Sequence, residues 1–408
     1  MSSFLQLLLT LTIIITAAKV GGWLSQQLRQ PAVLGELLAG LVLGPSVINL
    51  LHAPVLADPY LEETVLHLAE LGVICLMFIA GLEIDLTEML HAGRVSALAG
   101  SIGVFVPLVF GAMAALPFGH AGGAAIFIGI ILSATSVSIS AQTLMELGQL
   151  RRREGIALLG AAVIDDVLVI LILSLFTALV SGAGGASEVL GVLIKMVIYL
   201  AAATLIGLFV LPKAASWVHR QPISEGLAAL VLAAAMLFAW SAEVVGGLAA
   251  ITGAFLAGVG LARSHLREEI EVGIRPIAYG FLVPIFFVSI GLQADVRQLT
   301  GDVIPFAIVI VSVAIVTKVL GSGLGARWGG FTWREALRVG IGMISRGEVG
   351  LIVAAVGVGA GLIEPAVFSI VVIVVLITTL ITPLLLRWAF NDQAKLTTRR
   401  DAAPDTRT

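Results

Sequence analysis

Long runs of Leu, Ile, Val, Ala and Phe, each closed by a short stretch of charge, glycine or proline, follow one another along the whole chain. Most approach the roughly 20 residues that carry a helix across a bilayer. The pattern predicts helices near 4–24, 31–50, 64–85, 95–116, 122–147, 154–180, 188–212, 224–242, 247–263, 271–292, 302–326, 334–360 and 366–389. The expected fold is therefore all-α and polytopic, with about 13 transmembrane helices. The first run, from Phe4 to Ala18, has no basic residues before it and no A-x-A cleavage pattern after it, and reads as a retained span.

Composition narrows the class. With 59% hydrophobic and 12% charged residues among 408, the chain leaves no room for a sizeable soluble domain. A net charge of -3 without a basic cluster argues against nucleic acid as a partner. The single cysteine, Cys75, excludes an internal disulfide and reads as a packing residue. The histidines form no ligand spacing, so no resident metal or other cofactor is implied.

Lys and Arg set the expected orientation. Arg29, Arg94, Arg151 to Arg153, Lys213, Arg220, Arg263, Arg267, Arg275, Arg327 and Arg334 fall in alternate connections, with Arg297 the exception on the other side. This places the N-terminus outside and the C-terminus in the cytoplasm. Helical spans this apolar belong to a bacterial inner (cytoplasmic) membrane and not to an outer-membrane barrel. Residues 391–408 are polar and are expected to form a short disordered cytoplasmic tail.

A weak internal repeat runs through the chain. The third run ends in G-L-E-I-D at Asp85 and the tenth in G-L-Q-A-D at Asp295, 210 positions later. The same offset carries Ser136, inside S-A-T-S-V-S-I-S, onto Arg346, inside G-M-I-S-R-G-E. Seven spans separate the copies, an odd number, so the two would lie inverted in the membrane. Polar interruptions at matching places of inverted repeats point to a substrate site, and both stretches are read as broken helices. Thr135, Ser136 and Ser138 could coordinate an ion at the first break, or bond back to carbonyls one turn earlier.

Asp165 and Asp166 stand side by side inside the apolar run that starts at Gly160. A carboxylate in the middle of a membrane helix costs about 2.5 to 3.5 kcal/mol on insertion scales, and two adjacent ones repel. A pair facing a watery cavity and exchanging cations or protons offsets that cost; a structural pair neutralised by its neighbours is the alternative. Lys318, with apolar turns on both sides, needs either a carboxylate partner, for which the aspartate pair is the obvious candidate, or a lowered pKa. Neighbours on a helix point about 100° apart, so one aspartate can hold the lysine while the other binds a small cation or a proton. Arg346 and Glu348, two apart at the second break, are read as structural charges bonded to unwound backbone or separate partners.

These residues resemble the bacterial sodium/proton antiporters of the monovalent cation:proton antiporter-2 family. The likeness is carried by P-A-V-L-G-E-L-L-A-G-L-V-L-G-P at Pro31 to Pro45, A-G-L-E-I-D, A-T-S-V-S-I, the Asp165–Asp166 pair, Lys318 and S-R-G-E. It implies that Asp165 pairs with Lys318 and that Asp166 is the main ion-binding carboxylate, both aspartates contributing to the sodium site. It also implies a core of about 95–180 and 302–390 that moves in an elevator-like step. The partner of that core is a dimerisation part of about 1–92 and 224–292, with 188–212 as a linker. The partners implied are monovalent cations, protons, the lipid bilayer and a second copy of the chain. The activity implied is electrogenic sodium or lithium/proton antiport, with no enzymatic reaction and no cofactor. A potassium/proton antiporter or gated potassium efflux system of the same fold is the alternative, although no selectivity-filter motif favours a channel.

Overall fold

A computed structural model describes residues 2–56, 58–84, 91–181, 186–293, 304–359 and 361–401. Every regular element among them is helical. The first group is α1 (Ser3–Gln27), α2 (Ala32–Leu43), α3 (Leu61–Leu82), α4 (Gly93–Ala115), α5 (Gly123–Ser133), α6 (Val137–Glu146) and α7 (Arg153–Ser181). Then come α8 (Ala186–Phe209), α9 (Leu211–His219), α10 (Gly226–Ser241), α11 (Ala250–Leu261), α12 (Arg267–Ile277) and α13 (Val283–Leu292). The chain closes with α14 (Ile304–Gly329), α15 (Trp333–Gly342), α16 (Glu348–Gly359) and α17 (Pro365–Asp401).

Among the described residues, ten helices or helix pairs are long and apolar enough to cross a membrane, and three apolar helices are shorter. The protein is thus a multi-pass membrane protein. Proline and glycine explain where its helices depart from the expected spans. The run 31–50 is helical only to Leu43, where Gly44 and Pro45 end it. The run 188–212 continues past a break at Val210 into α9, because Pro212 takes the second position of a new helix, which needs no amide donor there. The run 271–292 is the composite of α12, a π-helical turn at Ala278–Leu282 and α13. α17 runs on to Asp401, through much of the stretch expected to be a disordered tail.

Two packing groups emerge. α2 lies against α1 and α13, α3 against α11 and α13, and α11 against α8 and α10. In the other group α4 touches α5, α7 and α14, while α14 and α15 meet α17. Close backbone approach holds each group tight. A Cβ on Gly258 of α11 would run into the carbonyl of Phe78 on α3, and one on Gly325 of α14 into the carbonyl of Leu98 on α4. Where the groups touch, Glu146 at the end of α6 accepts the first amides of α2, from Ala32 at 2.5 Å and Val33 at 3.3 Å. These are donors that a helix leaves free at its own N-terminus.

Candidate ion-binding site

Both expected broken helices are interrupted, and their interruptions meet. α5 stops at Ser133, and Ala134 and Ser136 are extended before α6 begins. α15 starts on a capping box, in which the Thr332 hydroxyl accepts from the Glu335 amide and the Glu335 carboxylate accepts from the Thr332 amide. It ends at Gly342, and α16 starts at Glu348.

The Ser136 amide donates to the Ser345 carbonyl at 2.9 Å, and the Ser345 hydroxyl donates back to the Ser136 carbonyl at 2.5 Å. Ser140 adds a bond from its hydroxyl to the Gly342 carbonyl. Backbone groups that neither helix can satisfy are thereby satisfied by the other, which is the condition for irregular chain at membrane depth. The 210-residue offset makes Ser136 and Arg346 corresponding positions of the two breaks, and Ser136 bonds to Ser345, next to Arg346.

Arg346 is 1% exposed. Its guanidinium donates to the carbonyls of Met343 at 3.4 Å and Ala314 at 3.3 Å. Two residues of α17 that the sequence reading passed over fix the same turn: Thr378 accepts from the Arg346 amide at 3.1 Å, and Thr379 donates to its carbonyl at 2.9 Å. In the sequence they are a Thr-Thr pair inside an apolar run, which does not say what the hydroxyls bond. Glu348 opens α16, but its side chain lies outside the described ones, as do Asp85 and Asp295 of the repeated G-L-x-x-D.

Beside this junction lie the membrane-buried charges. α4 packs against both α7 and α14, and Asp165 and Lys318 sit near the middles of those two helices. Lys318 Nζ donates to Asp165 Oδ1 at 2.6 Å, with the lysine side chain fully buried and the aspartate 1% exposed. The Thr135 hydroxyl faces the same carboxylate without a well-formed hydrogen bond, and Asp165 Oδ2 is left over. Ser138, the second residue of α6, is buried with its hydroxyl unpartnered as well.

Asp166 points elsewhere, as a residue about 100° further round a helix must. Its Oδ2 accepts from the Thr252 hydroxyl of α11 at 3.1 Å. A cavity of about 10 Å³, the space of about one water, adjoins it, lined among others by Met77, Val137, Ala162 and Phe255. Thr252 was not foreseen, since a threonine in an apolar run usually bonds to its own helix.

The arrangement sets one neutralised acid–base pair beside a second carboxylate, whose oxygens and the Thr252 hydroxyl adjoin a small cavity. Such hard oxygens suit a small monovalent cation, and a proton on the same carboxylate would cancel the charge that draws the cation.

Comparison with known proteins shows the family. The family model described as sodium/hydrogen exchanger, transmembrane, matches residues 14–391. The chain is 39% identical over 386 residues to the Na(+)/H(+)-K(+) antiporter GerN of Bacillus cereus, covering 94% of this chain and 96% of that protein. It is 34% identical over 379 residues to a Na(+)/H(+) antiporter of Enterococcus hirae, covering 93% and 96% of the two. In fold it resembles the sodium proton antiporter MjNhaP1 of Methanocaldococcus jannaschii, with a TM-score of 0.70 at 16% identity over 97% and 98% of the two chains. Matched from near its start to its last apolar helix, the chain belongs to the transmembrane sodium/hydrogen exchanger family.

Proposed function

We propose that the protein exchanges a monovalent cation, sodium or lithium, for protons across a bacterial cytoplasmic membrane by alternating access, moving net charge in each cycle. One observation carries this reading: a second buried carboxylate, Asp166, stands next to an acid, Asp165, that Lys318 already neutralises. Binding at Asp166 is then a competition between cation and proton, and competition at a site that opens to one side at a time is antiport.

Ten long and three short apolar helices support thirteen crossings. The inverted relation of the two interrupted helices, an external N-terminus and a cytoplasmic C-terminus follow from the repeat and from the Lys and Arg distribution. The group around α4, α7 and α14 is the moving core. The group around α2, α3, α11 and α13 is the scaffold and the surface for a second copy. Asp166 takes the ion, Asp165 and Lys318 couple the protons, and Thr135 and Ser138 supply further oxygens near the break.

The name of the Bacillus cereus relative includes potassium, so potassium belongs among the ions tried. The test uses inside-out vesicles with an acidified interior and a fluorescent proton-gradient probe. Added sodium or lithium should restore the fluorescence. No response to sodium, lithium or potassium between about pH 6 and 9, where buried carboxylates can titrate, would sink the antiporter reading. A response to potassium alone would leave exchange standing and reassign the ion.

A further inference from the structure

Thr252 is the third residue of α11, 2% exposed, and gives its hydroxyl to Asp166 instead of to its own helix. α11 packs on α3, α8 and α10, and Gly258 lets it sit directly against the Phe78 carbonyl of α3. Asp166 belongs to α7, in the other packing group. One hydrogen bond at the ion site therefore ties the two groups to each other. The first turn of α11 has no side-chain cap on its free amides, so the helix presents its positive end where the carboxylate lies.

We infer that Thr252 is a positioning residue that holds the empty carrier still: its bond to the ionised Asp166 locks core to scaffold, and a cation or proton on that carboxylate releases the lock. An antiporter conserves its gradient only if the empty, ionised form does not change sides. Free aspartate is the strongest acceptor for the hydroxyl. A bound cation reverses the need, since it calls for oxygen lone pairs where the carboxylate called for a donor. A bound proton removes the charge that made the bond strong. The same oxygen thus reports occupancy and restrains motion.

This rests on the exchange activity proposed above, and the experiment separates the two. Wild type, Thr252→Val and Thr252→Ser are reconstituted in liposomes, acid-loaded in choline thiocyanate with no sodium, lithium or potassium on either side. The thiocyanate lets charge balance as protons leave. Wild type and Thr252→Ser are expected to hold the pH gradient as well as protein-free liposomes. Thr252→Val, which keeps the shape and loses the hydroxyl, is expected to dissipate it several-fold faster, because empty and protonated carriers now both cross. Wild type that fails to exchange any added cation overturns the proposed function. Wild type that exchanges, alongside a Thr252→Val carrier that holds its gradient equally well, overturns the lock.

A second measurement does not depend on that variant folding. Spin labels on Ile126→Cys of α5 and Leu237→Cys of α10, whose parent residues are 45% and 59% exposed, report the spacing between the groups. In sodium-free alkaline buffer one distance is expected, and sodium or acid should add a second. With Asp166→Asn added, both distances are expected without either. The same single distance under all these conditions would overturn the lock.

Discussion

Lys318 Nζ stands 2.6 Å from Asp165 Oδ1, with neither side chain open to solvent. Each charge is tolerable in the membrane only because the other is there. Removing one partner of such a pair costs about 3–5 kcal/mol, because a bare charge stays behind. Lys318→Met and Asp165→Asn should therefore each lower the melting temperature in detergent clearly, and the double variant should recover part of the loss. A double variant that simply sums the two losses would show that the two groups do not depend on each other.

The two aspartates should separate by function. Asp166→Asn keeps an oxygen that can accept from Thr252, so the protein is expected to insert and melt as wild type does. It cannot titrate or attract a cation, so sodium-driven recovery of probe fluorescence in vesicles should vanish at every pH tried. Exchange at the wild-type rate would remove Asp166 from its role.

Lys318→Gln tests where the protons travel. If the lysine carries one of them, the variant exchanges without net charge. Its rate in proteoliposomes should then lose the dependence on an imposed membrane potential that wild type shows. Unchanged voltage dependence would leave the lysine with a purely structural part.

Much of this architecture was legible in the chain, because membrane helices announce themselves by length and apolar content. Asp165, Asp166 and Lys318 stood out for a related reason: charge in an apolar run has to be compensated somewhere. Contacts that hydroxyls make outside their own helix were not legible. Thr252, Thr378 and Thr379 look in sequence like any threonine that bonds to its own helix, and only the packing of α11 and α17 aims them at Asp166 and at the Arg346 turn. The repeat pointed to the two breaks but not to their bonding, since a self-similarity of the chain says which segments correspond and not which amide meets which carbonyl. Helix ends moved where Pro45, Pro212 and Pro276 override the apolar pattern.

The junction of the two breaks leaves no room for a methyl group at one position. A Cβ on Gly347 would meet the Ser136 Cβ and Oγ at 2.6 Å, whereas one on Gly350 meets only the Ile131 carbonyl at 4.0 Å. Gly347→Ala should push Ser136 off its two bonds with Ser345, at about 1–3 kcal/mol, and strongly impair exchange. Gly350→Ala should transport normally. Equal activity of the two in vesicles would mean that the junction is not held as tightly as its bonds require.

A second buried ion pair should affect stability without touching transport chemistry. Arg338 on α15 donates from Nη1 to Glu154 in the first turn of α7 at 2.7 Å and from Nε to the Ala389 carbonyl of α17 at 3.1 Å. Its guanidinium also lies 4.6 Å from the centre of the Phe390 ring. One planar group thus fastens three helices. Lysine offers a point charge without that fork or stacking face. Arg338→Lys should lower the melting temperature, while Arg338→Met, which strands Glu154, should lower it further, by about 3–5 kcal/mol of stability. Neither residue touches Asp165, Asp166 or Lys318 among the described contacts. Protein that remains folded should therefore keep the sodium affinity, pH profile and voltage dependence of wild type. A shifted pH profile in Arg338→Lys would show that this pair takes part in coupling the protons.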